Sequence, residues 1–194
     1  MNKEPEPKKN SHCSYCGTRF TEQILWPRKC FRCYNDSFSN PLPVVVVMPV
    51  IERALSVGYG SVRQRGILIQ KRGIDPQKGG WALTGGYMDA GETWQEAAVR
   101  EVHEELNLNI KADELELVGI GASTKKDNVL IFCTPKGSWD WHGYDDPGLE
   151  DFFKKDGHIP NEEVLEVGVM WEPMELAFPT HNEFANKYLA KLKE

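Results

Sequence analysis

Four cysteines in two pairs, Cys13-x2-Cys16 and Cys30-x2-Cys33 with thirteen residues between them, constrain this chain more than any other feature. Residues 11–40 carry little aliphatic content, and so short a piece cannot bury enough apolar surface to fold unaided. Two knuckles at this separation bring four thiolates within reach of one tetrahedral ion, the pattern of a structural Zn²⁺ site. An ion with four protein ligands keeps no open position, so its expected role is folding and not catalysis. A redox pair would use one Cys-x2-Cys and leave the other unexplained. His12, beside the first ligand, reads as a bystander because four cysteines complete the shell. The fifth cysteine, Cys133, sits in the apolar run VLIFC and reads as a buried strand residue.

Residues 1–10, MNKEPEPKKN, are charged and lack periodic apolar positions, which predicts a disordered tail. No apolar run approaches the roughly 18 residues that cross a bilayer, and the N-terminus lacks a signal peptide's apolar stretch. A soluble, cytoplasmic protein with no membrane partner is expected. The net charge of −6 argues against a general polyanion binder, because phosphate backbones are held by Lys and Arg. Nucleic acid is therefore not the expected partner, and a phosphorylated substrate would need a metal to mediate.

After Asn40-Pro41 the composition changes. The fully apolar, β-branched run VVVVMPVI, Val44 to Ile51, reads as one buried strand opening a second domain. Further strands are expected at Gly66–Arg72, Leu115–Thr124, Asn128–Pro135 and Glu163–Trp171. The segment HNEFANKYLAKLKE closes the chain as a helix, with Phe184, Tyr188 and Leu192 at i, i+4, i+8. Strands with two interspersed helices define a mixed α/β domain. Between Gly137 and Pro160 lies a long loop whose rings, Trp139, Trp141, Tyr144 and Phe152, suit either stacking on a base or packing as a flap.

The other helix carries the charge pattern of interest. Thr93 and Glu96 form a capping box, and Asn107 is a good left-handed stop. On this helix Glu101 lies three residues before Glu104 and four before Glu105, so the three carboxylates reach toward one sector. Ala97, Ala98, Val102 and Leu106 supply its buried side. Repulsion at i, i+4 costs about 0.2–0.5 kcal/mol on a solvated face, too little to decide between an acidic surface and a site.

The flank decides. Gly86-x5-Glu92-x7-Arg100-Glu101-Val102-x-Glu104-Glu105-x-Asn107-Leu108 resembles the Nudix box, G-x5-E-x7-R-E-U-x-E-E-x-G-U, at every fixed position but the final glycine. Asn107 stands there, the next-best left-handed residue. The lead-in GGWALTGG resembles the family's Leu-Pro-Gly-Gly turn with Thr84 in place of proline, and WEPMELAFPTH resembles its segment after the last core strand. The resemblance implies an α/β/α sandwich that hydrolyses a nucleoside diphosphate linked to another moiety, using Mg²⁺ or Mn²⁺. It assigns Glu101 and Glu105 as principal metal ligands and Glu104 as a further ligand or the base. The Gly86 carbonyl becomes an additional ligand, and Glu92 a loop-fixing group within reach of an outer metal. Arg100 orients a glutamate by ion pairing. Glu162, Glu163 and Glu166 are alternative bases from a later loop.

Cysteine knuckles before such a domain resemble the subgroup with an N-terminal zinc ribbon, to which NADH pyrophosphatases and FAD or ADP-ribose hydrolases belong. The implied organisation is a ribbon over 11–40 and a Nudix hydrolase domain over 41–194, with a homodimer as a further expectation. The Ser-Gln-Pro-Trp-Pro-Phe-Pro stretch of the NADH pyrophosphatases is not in the sequence. Two other readings compete: a nucleoside triphosphate pyrophosphatase, and a non-catalytic sensor or nucleic-acid-binding module using Arg19, Arg28, Lys29 and Arg32 of the ribbon.

Overall fold

The computed structural model describes residues 10–21, 26–140 and 162–194. The charged tail up to residue 9 and the loop residues Trp141, Tyr144 and Phe152 lie outside the described residues. The chain divides into two compact units, Met1–Pro41 and Leu42–Glu194. No helix among the described residues is long and apolar enough to cross a membrane.

In the first unit the two knuckles repeat one hydrogen-bond pattern. The Cys13 N–H donates to the Thr18 carbonyl at 2.8 Å and the Gly17 N–H donates to the Cys13 carbonyl at 3.0 Å. The Cys30 N–H donates to Asn35 at 3.0 Å and the Tyr34 N–H to Cys30 at 2.9 Å. The residue after each second cysteine turns left-handed, Gly17 with φ 70° and Tyr34 with φ 59°. Two short strands, β1 (Arg28–Lys29) and β2 (Asp36–Ser37), pair antiparallel on either side of the second knuckle.

The second unit is an α/β/α sandwich. Strands β3 (Leu42–Val47), β8 (Asn128–Pro135) and β7 (Leu115–Ala122) form one sheet in the order β3-β8-β7, with β3 parallel to β8. The other sheet runs β10-β5-β4-β9, from β10 (Val164–Met170), β5 (Gly60–Arg72), β4 (Val50–Val57) and β9 (Trp139–Asp140). The short strand β6 (Trp81–Ala82) pairs with β5. Helices α1 (Trp94–Leu106) and α2 (Pro179–Leu192) each pack on one of two cores.

The apolar run is now explained by alternation. Successive strand residues point to opposite faces, so Val45 and Val47 join the core of α1, while Val46 and Met48 join that of α2. Leu68 on β5 faces α1, and its neighbours Ile67 and Ile69 face α2. A strand buried on both sides has no polar position, which is why the sequence there lacks the usual alternation.

Three details differ from the sequence reading. The run Val44–Ile51 is two strands and not one: Pro49 has no N–H for a ladder, and the chain passes there from the first sheet into the second. The strand expected to begin at Gly66 begins at Gly60, because β4 and β5 continue as a hairpin closed by Gly58-Tyr59. Its pairs are mixed, Arg53 with Gln64 and Glu52 with Arg65 beside Leu55 with Val62, and give no continuous apolar run. In α2 the deepest stripe is His181, Ala185 and Leu189, and Phe184, Tyr188 and Leu192 flank it half-buried.

The core of α2 centres on Phe132, fully buried in β8 and stacked on Phe184 at 3.9 Å between ring centres. Phe132→Ala removes this ring and leaves a cavity, with an expected loss of about 3–5 kcal/mol. Urea unfolding followed by tryptophan fluorescence measures it.

Candidate functional site

The helix that carries the glutamates is set by its ends. The Thr93 hydroxyl accepts the Glu96 N–H at 3.2 Å while the Glu96 carboxylate accepts the Thr93 N–H at 2.8 Å, the reciprocal capping box. At the other end Asn107 adopts φ 54°, ψ 29°, the left-handed stop. Between them Ala97, Ala98, Val102 and Leu106 bury against the sheet, and Glu101 and Glu105 are buried with them.

The turn between β6 and α1 meets these two carboxylates with bare backbone. Gly85 has φ 149°, and a Cβ there would collide with the Val45 carbonyl. A Cβ on Gly86 would collide with the Glu101 carboxylate. The Gly85 N–H donates to Glu105 Oε2 at 2.8 Å. The Gly86 carbonyl accepts the Val45 N–H at 2.9 Å, which ties the turn to β3.

Arg100 is the hub of the charged network. Its Nη2 donates to Glu92 Oε1 at 2.7 Å and to the Tyr87 carbonyl at 3.0 Å. Its Nη1 donates to Glu101 Oε1 at 2.7 Å and to Glu104 Oε2 at 3.2 Å. Glu92 also accepts the Asp89 N–H at 2.6 Å, so it fixes the loop as well as the arginine. The Arg100 hydrogen bonds, then the Asp89 N–H, hold the Glu92 carboxyl below its ordinary range.

The three clustered glutamates are not equivalent. The Glu104 side chain is 57% exposed, whereas Glu101 is 9% and Glu105 6% exposed as whole residues. Burial raises the Glu101 carboxyl, opposed by Arg100 and reinforced by the charges of Glu104 and Glu163. Burial pushes Glu105 up to about 7, opposed by hydrogen bonds from Gln70 and Gly85 and reinforced by Glu101 and Glu163. The sector shared by all three in the sequence reading thus divides, with Glu104 turned to solvent. Among the described residues the glutamates do not gather their oxygens within 4.8 Å of one another in a group of three or more.

Of the later-loop candidates, Glu163 is the one whose charge acts on both buried carboxylates. Glu166 pairs instead with Lys71 at 3.1 Å, and the Glu162 backbone carbonyl lies against Gly73. Sequence reasoning missed Gln70 and read Thr84 only as the substitute for a turn proline. Gln70 is 1% exposed, accepts the Thr84 hydroxyl on Oε1 at 3.1 Å, and so presents its amide N–H to Glu105. The available signal was a lone glutamine in the apolar strand GILIQKR, where an unpartnered amide would be costly.

The cysteines converge. Their four Sγ atoms all lie within 4.8 Å of one another, with Cys13 to Cys33 and Cys16 to Cys30 at 3.6 Å. A tetrahedral ion at about 2.3 Å from each sulfur sets edges of about 3.8 Å, so the cluster is compatible with a small zinc ribbon. Backbone N–H groups of Cys16 and Tyr15 are the main cause that lowers Cys13 to about 6, while Cys33 in the same cluster is raised to about 11, so Cys13 favours the thiolate and Cys33 does not until a cation joins them. Cys133 is fully buried in β8, and burial pushes its thiol up to about 12.

The NUDIX domain family model matches residues 53–192, and the chain belongs to the Nudix family. An ADP-ribose pyrophosphatase from Methanocaldococcus jannaschii is 34% identical over 113 residues, 57% of this chain and 56% of that protein. A NAD-capped RNA hydrolase NudC from Photorhabdus laumondii is 27% identical over 106 residues, 54% of this chain and 36% of that protein. The chain thus spans 56% or less of the length of these relatives. A NUDIX hydrolase structure from Nitrosomonas europaea superposes with TM-score 0.58 at 23% identity, covering 93% of this chain and 91% of that one. The NUDIX domain of Shewanella oneidensis NrtR, crystallised with ADP-ribose, gives TM-score 0.55 at 18% identity over 80% of this chain and 90% of that one. At these identities the structures share the fold.

Glu105 links the site to stability. Its folded pKa, about 7, lies above the ordinary 4.5, so the folded state binds the proton more tightly than the unfolded state. Stability therefore falls as pH rises from 4.5 through about 7. Glu105→Gln removes the ionisation and keeps an acceptor for Gly85. In buffer free of divalent ions its Tm should match or exceed that of the wild type, by a margin that widens across this interval. Differential scanning calorimetry at a series of pH values checks this.

Proposed function

We propose that the protein is a divalent-metal-dependent pyrophosphohydrolase acting on a nucleoside diphosphate linked to another moiety, of the ADP-ribose, FAD or NAD(H) type. The observation that carries the reading is the pair Glu101 and Glu105, buried on α1 against the backbone of Gly85 and Gly86. Two buried, mutually repelling carboxylates disfavour the folded state unless a cation joins them. The donor set is oxygen throughout, which suits Mg²⁺ or Mn²⁺. Glu101 and Glu105 would hold such an ion, with Glu104, the second lone pair of the Gly86 carbonyl and Glu92 as outlying ligands. When bound, the ion neutralises pyrophosphate charge and acidifies the attacking water.

The chain's own groups do the rest. Arg100 favours the charged forms of Glu101 and Glu92 and orients both through its hydrogen bonds. Gln70 and the Gly85 N–H fix the orientation of Glu105. Glu163 accepts the proton of the attacking water, since its charge already bears on both buried carboxylates. The water oxygen bonds to phosphorus, the bridging P–O bond breaks, and two phosphate esters leave. The names of the relatives, an ADP-ribose pyrophosphatase and a NAD-capped RNA hydrolase, support a dinucleotide-type substrate.

A release assay across ADP-ribose, FAD, NADH and nucleoside triphosphates, coupled to phosphatase and run with Mg²⁺ or Mn²⁺, tests this proposal. Hydrolysis of at least one diphosphate-linked compound is expected, and Glu105→Gln and Glu163→Gln should lower kcat by about 100-fold or more. Activity on no compound, or wild-type rates in Glu105→Gln, sinks the assignment.

For the cysteine unit we propose a structural Zn²⁺ held by Cys13, Cys16, Cys30 and Cys33. Elemental analysis should find one zinc per chain, and Cys30→Ser should reduce zinc content and expose residues 11–40 to protease. Full zinc occupancy in that variant contradicts the four-thiolate site.

A further inference from the structure

The aromatic rings of the cysteine-rich unit are put to two uses. Phe20 and Trp26 meet edge to face at 6.4 Å and take the Arg28 guanidinium at 5.4 and 4.4 Å from their ring centres. That contact is internal. Tyr15, Phe31, Tyr34 and Phe38 are instead 65%, 65%, 73% and 59% exposed. A unit this poor in aliphatic side chains would gain most from turning those rings inward, yet they face outward.

Tyr34 is the sharper observation. It occupies the left-handed position of the second knuckle with φ 59°, where the first knuckle has Gly17 at φ 70°. Left-handed backbone disfavours a bulky residue, and a ring this exposed recovers little by burial. For folding alone, glycine is the better residue at 34. The sequence Phe31-Arg32-Cys33-Tyr34 offers ring, guanidinium and ring within four residues, all three of them exposed. Arg19, Lys29 and Arg32 are exposed and form no ion pair among the described residues. Residues 10–41 hold four basic and two acidic side chains in a chain of net charge −6, so positive charge gathers against the overall trend.

We propose that the cysteine-rich unit is a binding site for single-stranded nucleic acid. Phe31 and Tyr34 stack on bases, while Arg32, with Arg19 and Lys29, contacts backbone phosphates. Every base has a π-face, which a duplex hides and a single strand exposes. An acidic protein surface would satisfy the cations but has no flat partner for the rings. The site is separate from hydrolysis, because it needs neither the glutamates of α1 nor a catalytic metal.

Fluorescence anisotropy on the full, zinc-loaded chain tests the proposal in buffer without Mg²⁺ or Mn²⁺. The probes are labelled RNA and DNA single strands of about 12 nucleotides and a blunt duplex of the same length. At least one single strand should bind more tightly than the duplex, and binding should weaken from about 50 to about 200 mM salt. The RNA and DNA arms show whether the 2′-hydroxyl is read. Tyr34→Gly should weaken binding about 5-fold or more while Tm stays at or above that of the wild type. Arg32→Gln should weaken binding and reduce the salt slope by about one. Tyr34→Gly and Arg32→Gln should hydrolyse small nucleotides at wild-type rates, so loss of hydrolysis and loss of strand binding remain separable. The proposal is overturned by absence of saturable single-strand binding at low salt or by a duplex that binds equally well. An unchanged Kd or a lowered Tm in Tyr34→Gly also overturns it, and saturable binding of an acidic polypeptide alone would reassign the surface to protein.

Discussion

Two carboxylates, Glu101 and Glu105, are buried on a helix face that packs against a sheet, and much of the second unit is arranged to tolerate them. Burial raises the carboxyl of both groups. Arg100 on one side and the Gly85 N–H with Gln70 on the other offset part of that desolvation. None of these partners can be replaced freely. Arg100 reaches acceptors on four residues because its planar fork spreads donors over a wide arc, which a lysine ammonium could not match. The turn comes close enough to donate because Gly85 and Gly86 present no Cβ toward Val45 and Glu101. Local geometry, charge and the helix caps are therefore one problem with one solution.

That solution rests on strands that serve two helices at once. β3 sends alternate side chains to α1 and α2, and β5 does the same beneath it. The turn that faces the glutamates hangs from β3 through the Gly86 carbonyl and from β6, which pairs with β5. Glu163 begins the approach to β10 on the far side of β5. Residues separated by more than ninety positions in the chain thus act on the same carboxylates because the central strands hold the segments carrying them side by side.

The cysteine-rich unit follows other physics. Among its described residues four sulfurs and a cation–π cluster stand in place of an aliphatic core. Without an inward demand for large side chains, its surface rings are free of packing duty, and their outward placement then calls for an explanation outside the fold.

Much of this was legible in the sequence, for reasons that are local. Helix α1 runs between a capping box and an asparagine stop, each set by residues within a few positions of one another. The fully apolar run marked a strand buried on both faces. Fixed spacing from Gly86 to Glu105 tied the glycine turn to the glutamates it meets, and the cysteine spacing marked the knuckles whose sulfurs converge. What the chain did not disclose was non-local. The break at Pro49 became visible only as a passage between sheets, and the hairpin beyond Ile51 is held by mostly polar cross-strand pairs that form no continuous apolar run. Spacing placed three glutamates on one sector, whereas tertiary packing buried two and left Glu104 in solvent. Gln70 and Thr84 entered the site because strand pairing brought them beneath Glu105. The sequence by itself determined which carboxylates were gathered, since helix periodicity is a local property. Only the tertiary structure decided which of them lost water, because desolvation is set by what the rest of the chain places on top of them.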